Sequence, residues 1–134
     1  MKKLTIIFFS ICLLNLSCRK PEDVPAPSSV INGKNWRLIY YSFNGTDITS
    51  DFRNCVLAFL EGGSLKITNE GVEYSGSWVE FSEPPKLELT VNTANPFVDK
   101  LNGNWENKLL NPGRIELVDD KIAPQKIIKL DIIP

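Results

Sequence analysis

Few side chains in this 134-residue chain are equipped for chemistry, and their types narrow what it can be. There is no histidine, so the side chain that titrates nearest neutral pH and most often ligates metals is missing. No serine stands in a Gly-x-Ser-x-Gly elbow, the strand-to-helix turn that exposes a hydrolase nucleophile. Three cysteines remain: Cys12, Cys18 and Cys55. Cys55 begins the apolar run Cys55-Val56-Leu57-Ala58-Phe59-Leu60, where a free thiol behaves as a small buried hydrophobe. Two carboxylate pairs, Asp47 with Asp51 and Asp119 with Asp120, have the chemistry for acid/base work or calcium. Neither has the ligand density of a calcium loop, and acidic residues at strand ends are usually solvated caps. The residue types predict a chain that is not an enzyme and holds no metal or cofactor.

Cys18 stands in a different setting. Lys2 and Lys3 precede an uncharged, mostly apolar run from Leu4 to Leu16, followed by Ser17. A basic start, an apolar core and a small residue before the cut describe a signal peptide over residues 1–17. The run is too short for a hydrocarbon core about 30 Å thick, which takes about 20 residues. Leu14-Asn15-Leu16-Ser17-Cys18 resembles a bacterial lipobox, with Asn15 where that motif usually carries Leu. The resemblance implies cleavage before Cys18, palmitate-type acyl chains on its sulfur and acylation of the new amino group. An ordinary cleaved secretory signal is the alternative. Arg19 replaces the Asp that retains enteric lipoproteins at the inner membrane, and Lys20-Pro21-Glu22-Asp23 resembles a surface-export signal. The implied address is the bacterial cell envelope: an outer-membrane lipoprotein on the periplasmic side or at the cell surface.

Cleavage leaves 117 residues, one domain by length and large enough to bury a core without disulfides. The mature chain carries 13 basic and 16 acidic residues, and it lacks the basic footprint that nucleic acid requires. Residues 18–29 comprise the acylated cysteine and a tether with three prolines and almost no bulky apolar content. Such composition favours an extended chain of about 3.1 Å per residue. Residues 30–134 form the domain.

Within it, apolar and polar residues alternate over 34–43, 55–60, 64–68, 72–81, 86–91, 104–110, 114–119 and 126–132. Period-two alternation rich in β-branched and aromatic residues marks half-buried strands. The separators Glu61-Gly62-Gly63, Asn69-Glu70-Gly71, Glu83-Pro84-Pro85 and Asn111-Pro112-Gly113 carry the residues that tight turns demand. Asn44-Gly45-Thr46 is formally a glycosylation sequon, but Asn-Gly also supplies a turn. Two longer joins remain, 44–54 and 92–103, the second with room for a helical turn near 96–101. Eight strands joined mostly by hairpins predict an all-β fold, a small up-and-down antiparallel barrel, because closure removes the exposed edges.

The series Gly33-Lys34-Asn35-Trp36-Arg37-Leu38, Tyr74-Ser75-Gly76-Ser77-Trp78, Leu101-Asn102-Gly103-Asn104-Trp105 and Arg114-Ile115-Glu116-Leu117 resembles the lipocalin-like (calycin-like) domains of small bacterial lipoproteins. The resemblance covers about residues 31–133, and it departs from lipocalins proper in having two residues between Gly33 and Trp36. It implies architecture more than activity. Alternation predicts inward side chains at Trp36, Leu38, Tyr40, Leu57, Phe59, Leu65, Ile67, Tyr74, Trp78, Leu87, Leu89, Val91, Trp105, Leu109, Ile115, Leu117, Ile128 and Leu130. A barrel of eight strands is either filled by such side chains or holds one small ligand. If hollow, its apolar pocket is lined by Trp36, Tyr40, Phe59, Tyr74, Trp78 and Trp105; Gly76 then marks a strand bend or room for a ring. Around Tyr40-Tyr41-Ser42-Phe43, whichever aromatic faces out is a candidate contact. The functional expectation is a lipid-anchored, non-catalytic interaction module whose partner is a protein or a glycan. The alternative is a carrier of a small hydrophobic ligand.

Overall fold

In the computed structural model, which describes residues 27–119 and 125–134, the alternating segments become nine strands. In chain order these are β1 (Lys34–Phe43), β2 (Thr46–Asp47), β3 (Val56–Phe59), β4 (Ser64–Asn69), β5 (Val72–Ser82), β6 (Pro85–Val91), β7 (Gly103–Leu110), β8 (Arg114–Asp119) and β9 (Lys126–Ile132). β2 is a two-residue appendage on the end of β1, so β1 pairs with β3, and each later strand pairs antiparallel with the next. β9 then returns to β1, from Trp36 opposite Ile132 to Phe43 opposite Lys126. Eight strands therefore close into an up-and-down barrel with no free edge, as the alternation predicts. Residues 1–26, which hold the expected signal peptide, Cys18 and most of the expected tether, and Asp120 lie outside the described residues.

The inward faces make one apolar core. Leu57, Leu65, Ile67, Leu87, Leu89, Ile115, Leu117, Ile128 and Leu130 are all buried, and the three tryptophans are buried with them. Two bulges change the expected inward set. The β1–β9 register shifts between Leu38 and Tyr40, so Leu38 faces in opposite Leu130 while Tyr40 sits opposite outward-facing Lys129. A bulge sets two residues against one and reverses the facing of every residue beyond it. Tyr40 is corrected to the outer wall, and Tyr41, fully buried, takes the interior place. The second shift, between Asn107 and Leu109 on β7, leaves Leu109 39% exposed instead of inward, and Leu110 packs against the core. Gly76 has a different reason from either expected one. A Cβ there would collide with the Thr90 carbonyl oxygen and lie 3.2 Å from Val91 Cα, so the β5–β6 backbones approach too closely for a side chain.

Both mouths of the barrel are stoppered. At one, the short helix α1 (Pro27–Ile31) seats Val30 and Ile31 in the core. It draws Pro27, Ser28 and Ser29 from the stretch expected to be tether. Glu80 accepts from the Ser28 N–H at 2.9 Å, and Trp36 Nε1 donates to the Ile31 carbonyl at 3.3 Å. At the other mouth, 3-10 turns at Thr49–Phe52 and Val98–Leu101 press Phe52, Val98 and Leu101 inward, beside buried Cys55. These are the helix mouth and the loop mouth below.

Candidate functional site

The six residues expected to line one pocket are not gathered together. Trp36, Phe59 and Trp78 lie toward the helix mouth, where Phe59 and Trp78 meet edge to face at 5.7 Å. Trp78 Nε1 donates to the Leu60 carbonyl at 3.2 Å. Trp105 lies toward the loop mouth, edge to face with Tyr41 at 6.3 Å, and Tyr41 in turn stacks on Phe52 at 4.8 Å. Tyr74 is half-buried and its hydroxyl accepts from Asn95 Nδ2 at 2.9 Å. Tyr40 lines an open cleft of about 410 Å³ on the outer wall, with Val118 and Ile127 as its floor and Lys129 5.7 Å above the ring. The interior is thus two aromatic clusters, one behind each stopper.

The loop mouth holds most of the polar organisation. The segment between β6 and β7 is clamped at both ends and along its length. Asn102 binds the Val91 backbone twice, accepting its N–H and donating to its carbonyl at 3.0 Å. Asn95 Oδ1 accepts the N–H groups of Phe97 and Val98 at 2.9 and 3.2 Å, starting the 3-10 turn. From the barrel side, Tyr41 Oη donates to the Lys100 carbonyl at 2.5 Å and Trp105 Nε1 to the Leu101 carbonyl at 2.9 Å. The loop is compact, its ends meet and its side chains bind its own backbone, so it forms a platform over this mouth. It presents Phe97, 40% exposed, with half-buried Lys100 holding its ammonium 5.2 Å from the centre of that ring.

Beneath the platform sits an ion pair. Asp119 and Lys126, opposite each other on β8 and β9, approach to 3.4 Å with side chains 10% and 15% exposed. Lys126 Nζ also donates to the Asn102 carbonyl at 2.5 Å and lies 4.9 Å from the Trp105 ring centre. Gly103 makes room for the pair, since a Cβ there would lie 2.6 Å from Asp119 Oδ2 and 2.8 Å from Lys126 Nζ. Burial, with the Asp119 charge nearby, raises the pKa of Tyr41 well above the usual phenol range, so its hydroxyl stays a donor.

Of the two carboxylate pairs, Asp47 and Asp119 are each engaged with a neighbour, and Asp120 lies outside the described residues. Asp47 Oδ1 accepts from the Thr49 N–H at 2.9 Å and hydroxyl at 2.5 Å, which lowers the Asp47 pKa. Asp119 is engaged with Lys126. Among the described residues, no three of His, Cys, Asp and Glu converge on a point where they could hold a metal ion. Cys55 is fully buried, and burial pushes its thiol pKa up to about 12, so it is inert in the folded chain.

Asn95, Phe97 and Lys100 escaped the sequence reading, although Asn95-Pro96 is a turn-initiating pair, and Asn102 entered it only within the Leu101–Trp105 series and not as a clamp. Phe97 and Lys100 carry no periodicity, and the partners that make Asn102 a clamp lie elsewhere in the fold. No family model matches the chain, and no curated protein is significantly similar to it.

Proposed function

We propose that this chain is a lipid-anchored, non-catalytic interaction module of the bacterial cell envelope, with its lipocalin-like barrel serving as a rigid stand for the loop mouth. One observation carries the reading. The chain enters through α1 at the helix mouth, while the side-chain-clamped platform occupies the opposite end. Cys18 precedes Pro27 by nine residues, so acyl chains on it would hold the helix mouth toward a bilayer and turn the platform away. Binding residues concentrate on loops held by a rigid scaffold, which is this arrangement. The membrane is the outer membrane, on its periplasmic or its surface side, and the partner is a protein or glycan met there.

Carriage of a small apolar ligand needs room inside the barrel. Trp36, Phe59 and Trp78 occupy one half of the interior and Tyr41, Phe52 and Trp105 the other, with a stopper beyond each. That packing favours contact from outside.

Metabolic labelling with radioactive palmitate, followed by membrane fractionation, tests the anchor. Cys18→Ala should lose the label and leave the membrane, since acyl chains supply the hydrophobic hold. Cys18→Ala that remains in the membrane after signal cleavage contradicts the reading. Titration with an environment-sensitive fluorescent lipid should give no saturable quenching of tryptophan emission; one-to-one saturation would restore the carrier.

A further inference from the structure

The helix mouth carries an apolar rim, and the inference drawn from it rests on the reading that Cys18 is acylated. In an up-and-down barrel alternate strands end at the same mouth, so β3, β5, β7 and β9 all run toward α1. Near three of those ends an apolar side chain faces outward: Leu60 after β3, Phe81 on β5 and Leu109 on β7. They are 43%, 44% and 39% exposed, and Val79 extends the outer face behind Phe81. At the end of β9, Ile132 and the following Ile133 are half-buried. The strands that run to the loop mouth finish differently: Phe43 is half-buried, and Asn69, Val91 and Asp119 are buried. Val72 and Phe97, the exposed apolar residues of that mouth, are not among its strand ends.

We propose that Leu60, Phe81 and Leu109 dock the barrel end-on against the bilayer that holds the acyl chains, entering its headgroup boundary. Where the anchored segment joins the barrel identifies this occupant. Nine residues separate Cys18 from Pro27, at most about 30 Å of extended chain, and α1 is seated in this same mouth. A surface tethered so closely meets the bilayer at an effective concentration near millimolar, so a weak contact suffices. Three separate side chains fall far short of the roughly 800 Å² per partner that a stable protein interface buries, which favours lipid over a second protein. The turns and strands between the tips carry both signs of charge, Glu61 and Glu83 with Lys86 and Arg114, which suits zwitterionic headgroups. Apolar side chains at such a boundary reach about 5–10 Å into it, and that depth leaves the platform in water.

The test is spin-label accessibility in the full acylated chain, reconstituted in vesicles of phosphatidylethanolamine with a minor share of phosphatidylglycerol. Leu60→Cys, Phe81→Cys, Leu109→Cys and Phe97→Cys each carry one nitroxide, while buried Cys55 stays unlabelled. Oxygen concentrates in the bilayer and a nickel chelate stays in water, so the ratio of their collisions reports immersion. The ratio should be several-fold higher at 60, 81 and 109 than at 97, and should fall to the value at 97 in Cys18→Ala without vesicles. Leu60→Glu with Phe81→Glu should lower the ratio at 109 in vesicles. An acylated, vesicle-bound chain with equal ratios at all four positions overturns the docking and leaves the anchor standing. High ratios at 60, 81 and 109 in Cys18→Ala without vesicles, rising with protein concentration, would mean that a second copy covers the rim and also overturn it. A chain that palmitate labelling shows to be unacylated overturns the anchor and this inference together.

Discussion

Asn102 stands in for a strand partner of Val91, its side-chain amide accepting the Val91 N–H and donating to the Val91 carbonyl at 3.0 Å. β6 ends at Val91 and β7 begins at Gly103, so this single amide closes the intervening loop. Asn102→Ala leaves both Val91 backbone groups without that partner. It should destabilise the fold by about 1–3 kcal/mol. It should also speed hydrogen exchange at Phe97 and Val98 more than in β8. Urea unfolding and amide exchange check the two parts, and uniform exchange would show that the clamp is unimportant.

Lys126 is the only described cation paired with the buried Asp119, and a Cβ at Gly103 would crowd both side chains. Lys126→Met should cost about 3 kcal/mol because it strands a carboxylate inside the barrel mouth. Adding Asp119→Leu should recover most of the loss, since an apolar pair of similar volume avoids the desolvation penalty. A double-mutant cycle by denaturant unfolding reads the coupling. Additive losses would mean that the two side chains do not depend on each other.

Asn107 turns its amide inward at the β7 bulge, where neither Oδ1 nor Nδ2 finds a partner among the described residues. Buried polar atoms without hydrogen bonds are costly. Asn107→Leu should raise stability by about 1–2 kcal/mol. A lower melting temperature for this variant would show that the amide is satisfied in solution.

Cys55 gives the stability an alkaline limb. Its folded pKa, pushed up to about 12, exceeds the ordinary thiol value of 9.0, so the unfolded chain ionises first as pH rises. The contribution is complete below about pH 9 and is lost as pH climbs toward about 12. Cys55→Ala should flatten that limb, leaving the part due to Tyr41, whose raised pKa acts in the same direction. Modification of Cys55 by an uncharged thiol reagent should proceed at the rate of global unfolding. Fast labelling under native conditions would contradict its burial.

The barrel was legible because alternation survives wherever a strand has one wet and one dry face. β1, β8 and β9 occupy the ranges that the pattern predicts. The errors sit at the two bulges: beyond Leu38 and beyond Asn107 one extra residue reverses the facing, and Tyr40-Tyr41 offers an aromatic for either choice. α1 escaped because five residues are too few to show a helical period. Its stability comes from Glu80 and the core, not from its own sequence. The platform was illegible for a related reason. Tyr41 reaches Lys100 across 59 positions of sequence, Asn95 reaches Tyr74 across 21 and Asn102 reaches Val91 across 11, and such partners leave no local trace.

The proposed partner-contact surface is the loop mouth, not the helix mouth or the barrel wall. A photoreactive phenylalanine at position 97, compared in intact cells with one at exposed Phe81 beside the β5–β6 turn, tests that claim directly. Discrete crosslinked species from position 97, absent from position 81 and abolished by Asn102→Ala, are the predicted result. No adduct from position 97, or the same adducts from both positions, would contradict it.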